Sequence, residues 1–507
     1  MSIQIARDIE RLIQYGLEKQ LITSWDWSLT RNKILDVLDL KGIEPVEVEK
    51  EWQASPVDIL SNILNWAAEH DRLPDNTVTE RDLLDTKLMG CLVPSQTEVI
   101  RQFQEIMKKD GPKQATADFY RFSKDVNYIR TDRIAKNEQW LTPTDYGEIE
   151  ITINLSKPEK DPKAIAAAKG SQLDIQYPQC VLCKENVGYT GRLDHPARQN
   201  HRIIPVTLQG EQWYLQYSPY VYYNEHCIVL KEDHVPMDIN KATFDRLLAF
   251  VETYPHYFLG SNADLPIVGG SVLSHDHFQG GHHEFPMAKA GMDEPIEFPN
   301  FPNVKAGIVK WPMSVIRLQS EDPDTLSDLA GMIFDAWVRY SDPSVSIYAS
   351  TNGERHNTIT PIARRRGDWF ELDLVLRNNR TSEAHPLGIF HPHANVHHIK
   401  KENIGLIEVM GLAVLPGRLK EELEQLGRFL ADDVNDAPSP DDERIHKHLD
   451  WGRQIKTKYS EVKSSNVNAI LEQEIGQVFA TILEHAGVFK RDEEGQQAFR
   501  RFISTVK

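Results

Sequence analysis

The fold is decided by the stretch Gly269-Gly-Ser-Val-Leu-Ser-His-Asp-His-Phe-Gln-Gly-Gly281. In an extended chain alternate side chains share a face, so four polar groups would line up: Ser271, His275, His277 and Gln279. At about 3.3 Å per residue the two imidazoles would lie about 7 Å apart. Glycines at both ends let a ligand approach the backbone closely. The stretch therefore predicts a strand that faces a ligand; the alternative is an exposed polar strand end with incidental histidines.

Histidines are concentrated around this stretch. All but four of the 19 histidines lie between residues 195 and 398, and the exceptions are His70, His446, His448 and His485. Imidazole serves as a nucleophile, an acid or base, and a metal ligand near neutral pH. The concentration therefore indicates a functional site in this part of the chain.

Hydrophobic periodicity predicts helices in the N-terminal part. Apolar residues recur at helical spacing from the start of the chain, at Ile5, Ile9, Leu12 and Ile13. The sequence Asp110-Gly111-Pro112 is a candidate boundary. Strict alternation over 148–155 predicts a strand, and 156–170 reads as a loop that leads into a short helix ending at Gly170.

Further strands and helices alternate along the rest of the chain. The pattern predicts strands at 203–230, 267–279, around Val315 and Ser346, and at 369–376 and 405–414. It predicts helices at 243–254 and 326–340, and charged amphipathic helices from 418 to 507 with an acidic loop at 436–441. The similar order of elements on both sides of residue 310 suggests two comparable halves.

Composition argues against two classes of protein. The chain has 75 Asp and Glu against 57 Lys and Arg, a net charge of −18, whereas proteins that bind phosphate backbones usually carry a basic balance or stripe. We therefore expect no nucleic-acid partner, although a few local arginines suffice for a small anion. We also expect no membrane association, because the longest apolar stretch, 404–415, is shorter than the roughly 20 residues that cross a bilayer, and the N-terminus lacks the apolar run of a signal peptide.

The four cysteines suggest a reducing, cytoplasmic location and a metal site. They are too few for a disulfide-stapled secreted protein of 507 residues. Two of them form Cys180-Val-Leu-Cys183, a spacing that suits tetrahedral zinc. His234 and His275 are candidates to complete the ligand set. The alternatives are unmetallated thiols and a redox pair, which normally opens a helix after a strand.

Two arginines form a further candidate site. Arg130 and Arg133 are three residues apart and share a face if the segment is helical, so their guanidinium groups could fork onto a diphosphate. The alternative is a pair of ordinary surface arginines. We interpret the run 364–366, which is all arginine, as a solvated turn.

Five motifs, taken in this order, resemble the galactose-1-phosphate uridylyltransferase family in its longer bacterial form, part of the histidine-triad superfamily. They lie at 128–136, 180–183, 217–226, 274–281 and 399–416, and the resemblance runs from about residue 115 to 420. It implies an α+β fold of tandem histidine-triad-like halves with antiparallel sheets. We expect an N-terminal helical region over 1–112, a first half with the nucleophile and zinc site over 113–310, and a second half with the C-terminal helices over 311–507.

The resemblance implies a nucleotidyltransferase. The family exchanges UMP between UDP-glucose and galactose 1-phosphate to give UDP-galactose and glucose 1-phosphate, in ping-pong fashion through a uridylylated histidine. Its His-x-His-x-Gln pattern implies that His277 is the nucleophile and that Gln279 hydrogen-bonds the phosphoryl oxygens. An imidazole with a reference pKa of about 6.5 is unprotonated at cellular pH, which suits the role.

The resemblance also implies binding and metal residues. The substrates, UDP-glucose or UDP-galactose and hexose 1-phosphates, would meet Arg130, Arg133, Asn200, Ser271, Lys401 and Glu408. A structural zinc would be held by Cys180, Cys183, His234 and His275. A homodimer is expected from the family alone.

Two departures from the family pattern concern metals. The short form of the family has His-Pro-His where this sequence has His275-Asp276-His277, and its second metal site uses histidines where this sequence has Glu371-Leu-Asp373. These departures argue against a second metal. The four histidines at 391, 393, 397 and 398 fit either a different metal cluster or a strand surface.

Two rival functions use the same residues. A histidine-triad hydrolase or phosphorylase would pass the nucleotidyl group to water or phosphate. A zinc-stabilised binding protein would need His275, but it gives no reason for His277 and Gln279.

Overall fold

The computed structural model describes residues 3–49, 52–156, 177–270, 272–431 and 438–506. Helices and mostly antiparallel strands fill these ranges, which confirms the α+β class. The short helix predicted before Gly170 and the side chain of Ser271 lie outside the described residues. Among the helices of these ranges, none combines the length and apolar character needed to cross a bilayer.

The α-helices of the described ranges are, in chain order, α1 Ile3–Glu18, α2 Trp27–Val37, α3 Val57–Glu69, α4 Val78–Gly90, α5 Gln96–Asp110, α6 Pro112–Asp125, α7 Thr131–Ile134, α8 Lys241–Thr253, α9 Pro286–Lys289, α10 Pro323–Arg339, α11 Leu406–Val409, α12 Arg418–Leu430, α13 Glu443–His446, α14 Leu449–Lys458, α15 Val467–Ala486 and α16 Glu493–Ile503.

The strands of the same ranges are β1 Glu138–Thr144, β2 Gly147–Asn154, β3 Ile204–Leu208, β4 Glu211–Tyr217, β5 Cys227–Lys231, β6 Phe258–Gly260, β7 His277–Gly281, β8 Met292–Ile296, β9 Lys305–Val309, β10 Val315–Ser320, β11 Ser350–Thr351, β12 Glu354–Arg355, β13 Asn357–Arg366, β14 Trp369–Asn378 and β15 Leu412–Pro416.

The first compact unit comprises Met1–Lys136, Ser156–Val221 and Glu225–Val235. It holds α1–α7, which confirms the N-terminal helical region, and the antiparallel strands β3, β4 and β5, which confirm the strand series at 203–230. The apolar stripe that predicts α1 is buried, and this helix packs against α2 and α3. Helix α1 is therefore held by burial of one face, as its period indicates.

Local signals begin and end the helices of this unit. The hydroxyl groups of Thr77 and Ser95 accept hydrogen bonds from backbone N–H groups of α4 and α5, each at 3.3 Å. Gly111 has a φ of 86°, a left-handed value that favours glycine, and Pro112 begins α6. The break predicted at 110–112 therefore separates two helices of one unit.

The second compact unit comprises Asn137–Leu155, Tyr222–Asn224 and Pro236–Lys507. Its larger run of strands is antiparallel, in the order β7-β6-β13-β14-β10-β9-β8. Helices α8 and α10 pack on β13. A smaller sheet has the order β1-β2-β15, in which β15 runs parallel to β2, and α15 packs against β1 and β2.

Of the strands predicted in the second unit, the one around Ser346 is wrong and the one at 405–414 is right only in its last part. Ser346 ends a 3₁₀ turn at a φ of 63° and is not in a strand. The segment 405–414 begins with α11, because the Glu408 carboxylate accepts a hydrogen bond from the backbone N–H of Gly405 (3.1 Å) and so satisfies the first turn of a helix. Only its last part belongs to β15.

The prediction of a solvated turn at 364–366 is also wrong. These residues end strand β13, and Arg364 is buried, with its guanidinium group on the carboxylates of Glu371 and Asp373. In the sequence, a run of charged residues at the end of a strand looks like a solvated turn. The buried partners of Arg364 become evident only from the pairing of β13 with β14.

Candidate active site

The strand β7 presents His277 and Gln279 on one face, two residues apart. The ring Nδ1 of His277 lies 2.8 Å from the backbone carbonyl of His275. Because a carbonyl only accepts hydrogen bonds, Nδ1 carries the proton and Nε2 carries the lone pair. Burial lowers the pKa of His277 to about 4, so the ring is neutral at cellular pH. The arrangement provides a neutral imidazole with a fixed tautomer.

The strand is shorter than its sequence predicts. It begins at His277, whereas the sequence predicts an extended chain from 267 to 279. The chain bends before the strand, and this brings the His275 carbonyl back onto the His277 ring. The shared face therefore holds for His277 and Gln279, whereas His275 lies in the bend before the strand and not in an extended chain. Ser271 is outside the described residues.

The chain before the strand contacts a distant segment through Asn262. The Asn262 side-chain oxygen accepts a hydrogen bond from the backbone N–H of Leu406, in the first turn of α11 (2.9 Å). A Cβ on Gly270 would lie 2.8 Å from the Asn262 amide, and one on Gly405 would lie 3.3 Å from it. Asn262 lies in none of the motifs that the sequence indicates. The sequence feature that could have indicated this contact is the pair Gly269-Gly270, where the absence of side chains leaves room for the Asn262 amide.

The start of α11 holds a buried ion pair. The Glu408 carboxylate lies 2.6 Å from the Nζ atom of Lys400, and both residues are buried. Lys401, the predicted substrate-binding residue, has an exposed side chain. The buried guanidinium group of Arg377 donates to the backbone carbonyl of Ile404 at 2.9 Å. Lys400 and Arg377 therefore hold the start of α11, and the sequence indicated neither contact.

In the first unit, Arg130 and Arg133 lie against carboxylates of α4. Arg133 forks onto Asp82 with distances of 2.9 and 2.5 Å, and Arg130 reaches Asp85 at 2.9 Å. Burial raises the pKa of Asp85, against the opposing effect of Arg130. Asp82 and Asp85 therefore hold the two arginines in place, a pairing that the sequence did not indicate, since 45 and 51 residues separate the partners. The sequence feature that could have indicated this pairing is Asp82 with Asp85, two acidic residues three apart on one helix face.

Asn200 is buried in the same unit. Its side-chain N–H donates to the backbone carbonyl of Val126 at 3.0 Å. This bond ties the segment around Asn200 to the chain just before Arg130. The structure therefore places three predicted nucleotide-binding residues on segments of one unit that are joined to each other.

The Cys180-x-x-Cys183 loop has the geometry of a metal site. The two sulfurs lie 3.5 Å apart, and Nδ1 of His234 lies 3.1 Å from the Cys183 sulfur. Two sulfurs bound at about 2.3 Å to one tetrahedral ion would lie about 3.8 Å apart. The observed spacing fits such an ion, and this group of cysteine and histidine side chains could hold a metal.

A second layer of hydrogen bonds supports this loop. The side-chain amide of Asn186 donates to the backbone carbonyls of Cys180 and Cys183, each at 2.8 Å. The ring Nε2 of the buried His195 lies 2.7 Å from the Asn186 oxygen. Bonds of this kind fix a loop so that its ligands converge. No helix follows Cys183 beyond a short 3₁₀ turn, which argues against the redox interpretation.

Comparisons with known proteins agree with these features. The family model "Galactose-1-phosphate uridyl transferase, N-terminal domain" matches residues 33–236, and the model of the C-terminal domain of the same family matches 250–437. The galactose-1-phosphate uridylyltransferase of Halalkalibacterium halodurans is 62% identical over 502 residues, covering 99% of both chains. That of Bacillus subtilis is 58% identical over 506 residues, covering 99% of this chain and 98% of the relative.

Solved structures give a weaker comparison. Yeast Ap4A phosphorylase in complex with AMP is 14% identical, with a TM-score of 0.32 over 60% of this chain and 87% of that one. A likeness at this level carries no argument about the fold or the site.

Proposed function

Because the chain belongs to the galactose-1-phosphate uridylyltransferase family, we propose that His277 is the nucleophile of its uridylyl exchange. The protein is a nucleotidyltransferase that exchanges UMP between UDP-glucose and galactose 1-phosphate. The observation that supports His277 is the hydrogen bond from its Nδ1 to the His275 carbonyl, because this bond leaves the lone pair on Nε2.

The reaction runs in two displacements. The Nε2 atom of His277 attacks the α-phosphorus of UDP-glucose, the bond from that phosphorus to the bridging oxygen breaks, and glucose 1-phosphate leaves. A phosphate oxygen of galactose 1-phosphate then attacks the same phosphorus, the P–N bond breaks, and UDP-galactose leaves with the imidazole neutral again. Gln279, on the same face of β7, hydrogen-bonds the phosphoryl oxygens, where charge builds up.

Arg130, Arg133 and Asn200 would bind the nucleotide part of the substrate. A guanidinium group has five N–H donors, and the fork of Arg133 onto Asp82 uses two of them. The remaining donors suit diphosphate oxygens, and the carboxylates hold the arginines in place before the substrate arrives. This pairing supports a preorganised site over a pair of ordinary surface arginines.

Ser271, Lys401 and Glu408 would meet the phosphate groups and the sugar. The exposed ammonium group of Lys401 suits a phosphate that enters from solvent. Glu408 is fixed by Lys400 and by the N–H of Gly405, so its carboxylate suits a sugar hydroxyl group of defined position. These roles follow the family resemblance.

We infer that the metal is zinc and that His275 is its fourth ligand. His275 is buried and lies two residues before His277 in the chain, and the family resemblance assigns it to the zinc ligands. Two thiolates and two imidazoles are a complete tetrahedral set, which leaves no open position for a substrate. Such an ion would brace the chain directly before His277.

The other expectations stay proposals. We propose tandem histidine-triad-like halves at 113–310 and 311–507, a homodimer, a cytoplasmic location and no nucleic-acid partner. The net charge of −18 supports the last of these.

The acceptor separates the transferase from a hydrolase or phosphorylase. The enzyme is loaded with UDP-glucose, freed of small molecules, and then mixed with buffer, inorganic phosphate or galactose 1-phosphate. We expect galactose 1-phosphate to discharge the loaded enzyme at least a hundredfold faster than water or phosphate. Discharge at equal rates by all three would contradict the transferase mechanism and favour the rival enzymes.

A further inference from the structure

Four charged side chains form a buried network on strands β10, β13 and β14. This charge network consists of Arg317, Arg364, Glu371 and Asp373, whose exposed fractions are 4%, 8%, 1% and 0%. The network is built on strand register: Arg317 pairs with Asp373 across β10 and β14, and Arg364 pairs with Glu371 across β13 and β14. Its charges sum to zero, so it needs no ion from outside.

Asp373 is the centre of the charge network. Arg317 forks onto its two oxygens at 2.7 and 2.9 Å, and Arg364 reaches one of them at 2.7 Å. Burial would raise the pKa of Asp373, but the charges of Arg317 and Arg364 outweigh it and hold the pKa at about 2. The carboxylate is therefore ionised at every pH at which the protein works.

The charge network also reaches a segment outside the sheet. Arg317 donates to the backbone carbonyls of Met287 (2.8 Å) and Ala290 (2.7 Å) with its terminal nitrogens. Its neighbour Arg366, 3.4 Å from Glu371, donates to the carbonyl of Ala288. The carbonyl groups of Met287 and Ala288 in α9, and of Ala290 directly after it, thus receive charge-assisted hydrogen bonds, which are among the stronger ones in proteins.

This clamped segment joins two parts of the proposed site. It begins five residues after the end of β7, the strand of His277 and Gln279. The backbone N–H of Met287 donates to the carbonyl of Met410, two residues after Glu408 (3.0 Å). Helix α9 is therefore connected to the nucleophile by the chain and to the Glu408 segment by a hydrogen bond.

We propose that Arg317 is a positioning residue, which, held by Asp373, fixes α9 and thereby sets the nucleophile strand relative to the Glu408 segment. The proposal rests on the role of His277 given above. A displacement of about 1 Å at reacting groups can cost a hundredfold in rate. The charge network would thus supply, with side chains alone, a rigid support for the chain that follows β7, whereas His275 precedes this strand.

The test uses the double variant Arg317→Met/Asp373→Leu in the full chain. It removes one charge of each sign, so no buried charge loses its partner, and apolar replacement of a buried pair often preserves stability. The readout is the single-turnover rate of uridylylation by UDP-glucose, measured well below the melting temperature of each variant. We expect this rate to fall about 10- to 100-fold at saturating UDP-glucose, with the half-saturating concentration changed less than threefold.

Two further variants keep the test decisive. Arg317→Lys keeps the charge beside Asp373 but loses the fork, and it replaces the double variant if that one does not fold; the same fall in rate is expected. The exposed Asp368, in the turn between β13 and β14, gives the control Asp368→Asn, whose rate should match wild type.

The outcomes separate this proposal from the function it rests on. If wild type is labelled and the folded Arg317 variants react within threefold of it, the positioning role is wrong even when their melting temperatures change. If wild type is not labelled at all, the role of His277 fails, and the positioning role fails with it. A fall of more than threefold in a folded variant supports the proposal.

Discussion

Two regions of the molecule use opposite chemistry to hold polar side chains in place. The loop around Cys180, Cys183 and His234 brings together sulfur and nitrogen atoms that all donate electron pairs, and a metal ion would bind them. The charge network of Arg317, Arg364, Glu371 and Asp373 contains both signs of charge, so its members neutralise one another without an ion. The first support would depend on a metal supply, and the second depends on strand register alone.

The two regions should respond differently to a substitution. Without a metal ion, the thiols and the imidazole of the cysteine loop are neutral and repel one another little. Loss of the metal therefore loosens the loop. Loss of one charge from a buried pair leaves its partner unpaired in a site of low polarity, which is strongly destabilising. The comparison therefore predicts a larger effect from a single substitution in the charge network than from one in the cysteine loop.

The largest effect should follow from Asp373→Asn. This change leaves Arg317 and Arg364 with one carboxylate between them, and we expect the free energy of unfolding to fall by about 3–5 kcal/mol. Chemical denaturation with urea measures it. The exposed Asp368→Asn should stay within about 0.5 kcal/mol of wild type. Equal effects of the two variants would show that the charge network is not a support.

A smaller effect should follow from Cys183→Ser. We expect this variant to lose bound zinc and about 2–4 kcal/mol of stability, because an ion present at 100 to 1,000 times its Kd contributes about that much. Metal analysis and melting curves with and without a chelator measure both. The control is Val181→Ser, in the same loop and 41% exposed, which should keep its zinc. A metal-free wild type as stable as the metal-bound one would contradict the bracing role.

The smallest effect concerns a third support, made of stacked imidazole rings in the second unit. His385, His393 and His485 stack with centroids 4.2 Å apart. Burial, with help from His393 and Lys490, lowers the pKa of His485 to about 4. The folded state therefore binds fewer protons than the unfolded one between about pH 4 and the unfolded value near 6.5. Stability should fall as the pH drops through that window.

The variant His485→Gln tests this stack. Its loss of stability between pH 6.5 and 4 should be about 1–2 kcal/mol smaller than that of wild type, after allowance for solvent screening. Unfolding curves at several pH values measure the slope. The control is His446→Gln, which has an exposed side chain and should keep the wild-type slope. An unchanged slope in His485→Gln would show that the stack does not resist protonation.

Local chemistry could be predicted from the sequence. Helical or alternating periodicity identified α1 and β2, because one buried face repeats at a fixed spacing. Strand β14 was identified from alternation as well, although both of its faces are buried. The Cys180-x-x-Cys183 loop and the His-x-His-x-Gln pattern could be identified for a similar reason, since the few residues that carry the chemistry are close together in the chain.

Long-range partners could not be predicted. Nothing near Arg364 in the sequence indicates that β13 and β14 bury it on Asp373, and nothing near Arg133 indicates Asp82, 51 residues earlier. The choice of Lys401 over Lys400 depends on which side of a turn faces the Glu408 carboxylate, which is set by the tertiary packing of α11. Pairings of this kind depend on the fold.

The most direct test of the account is covalent labelling of His277. UDP-glucose labelled in the uridine, or separately in the β-phosphate, is mixed with wild type, with His277→Ala and with Ser274→Ala, an exposed residue of the same segment. We predict that uridine label alone attaches to wild type and Ser274→Ala, to one residue that peptide mapping identifies as His277, and that His277→Ala takes up none. Covalent uridine label on His277→Ala, or β-phosphate label on wild type, would contradict the mechanism.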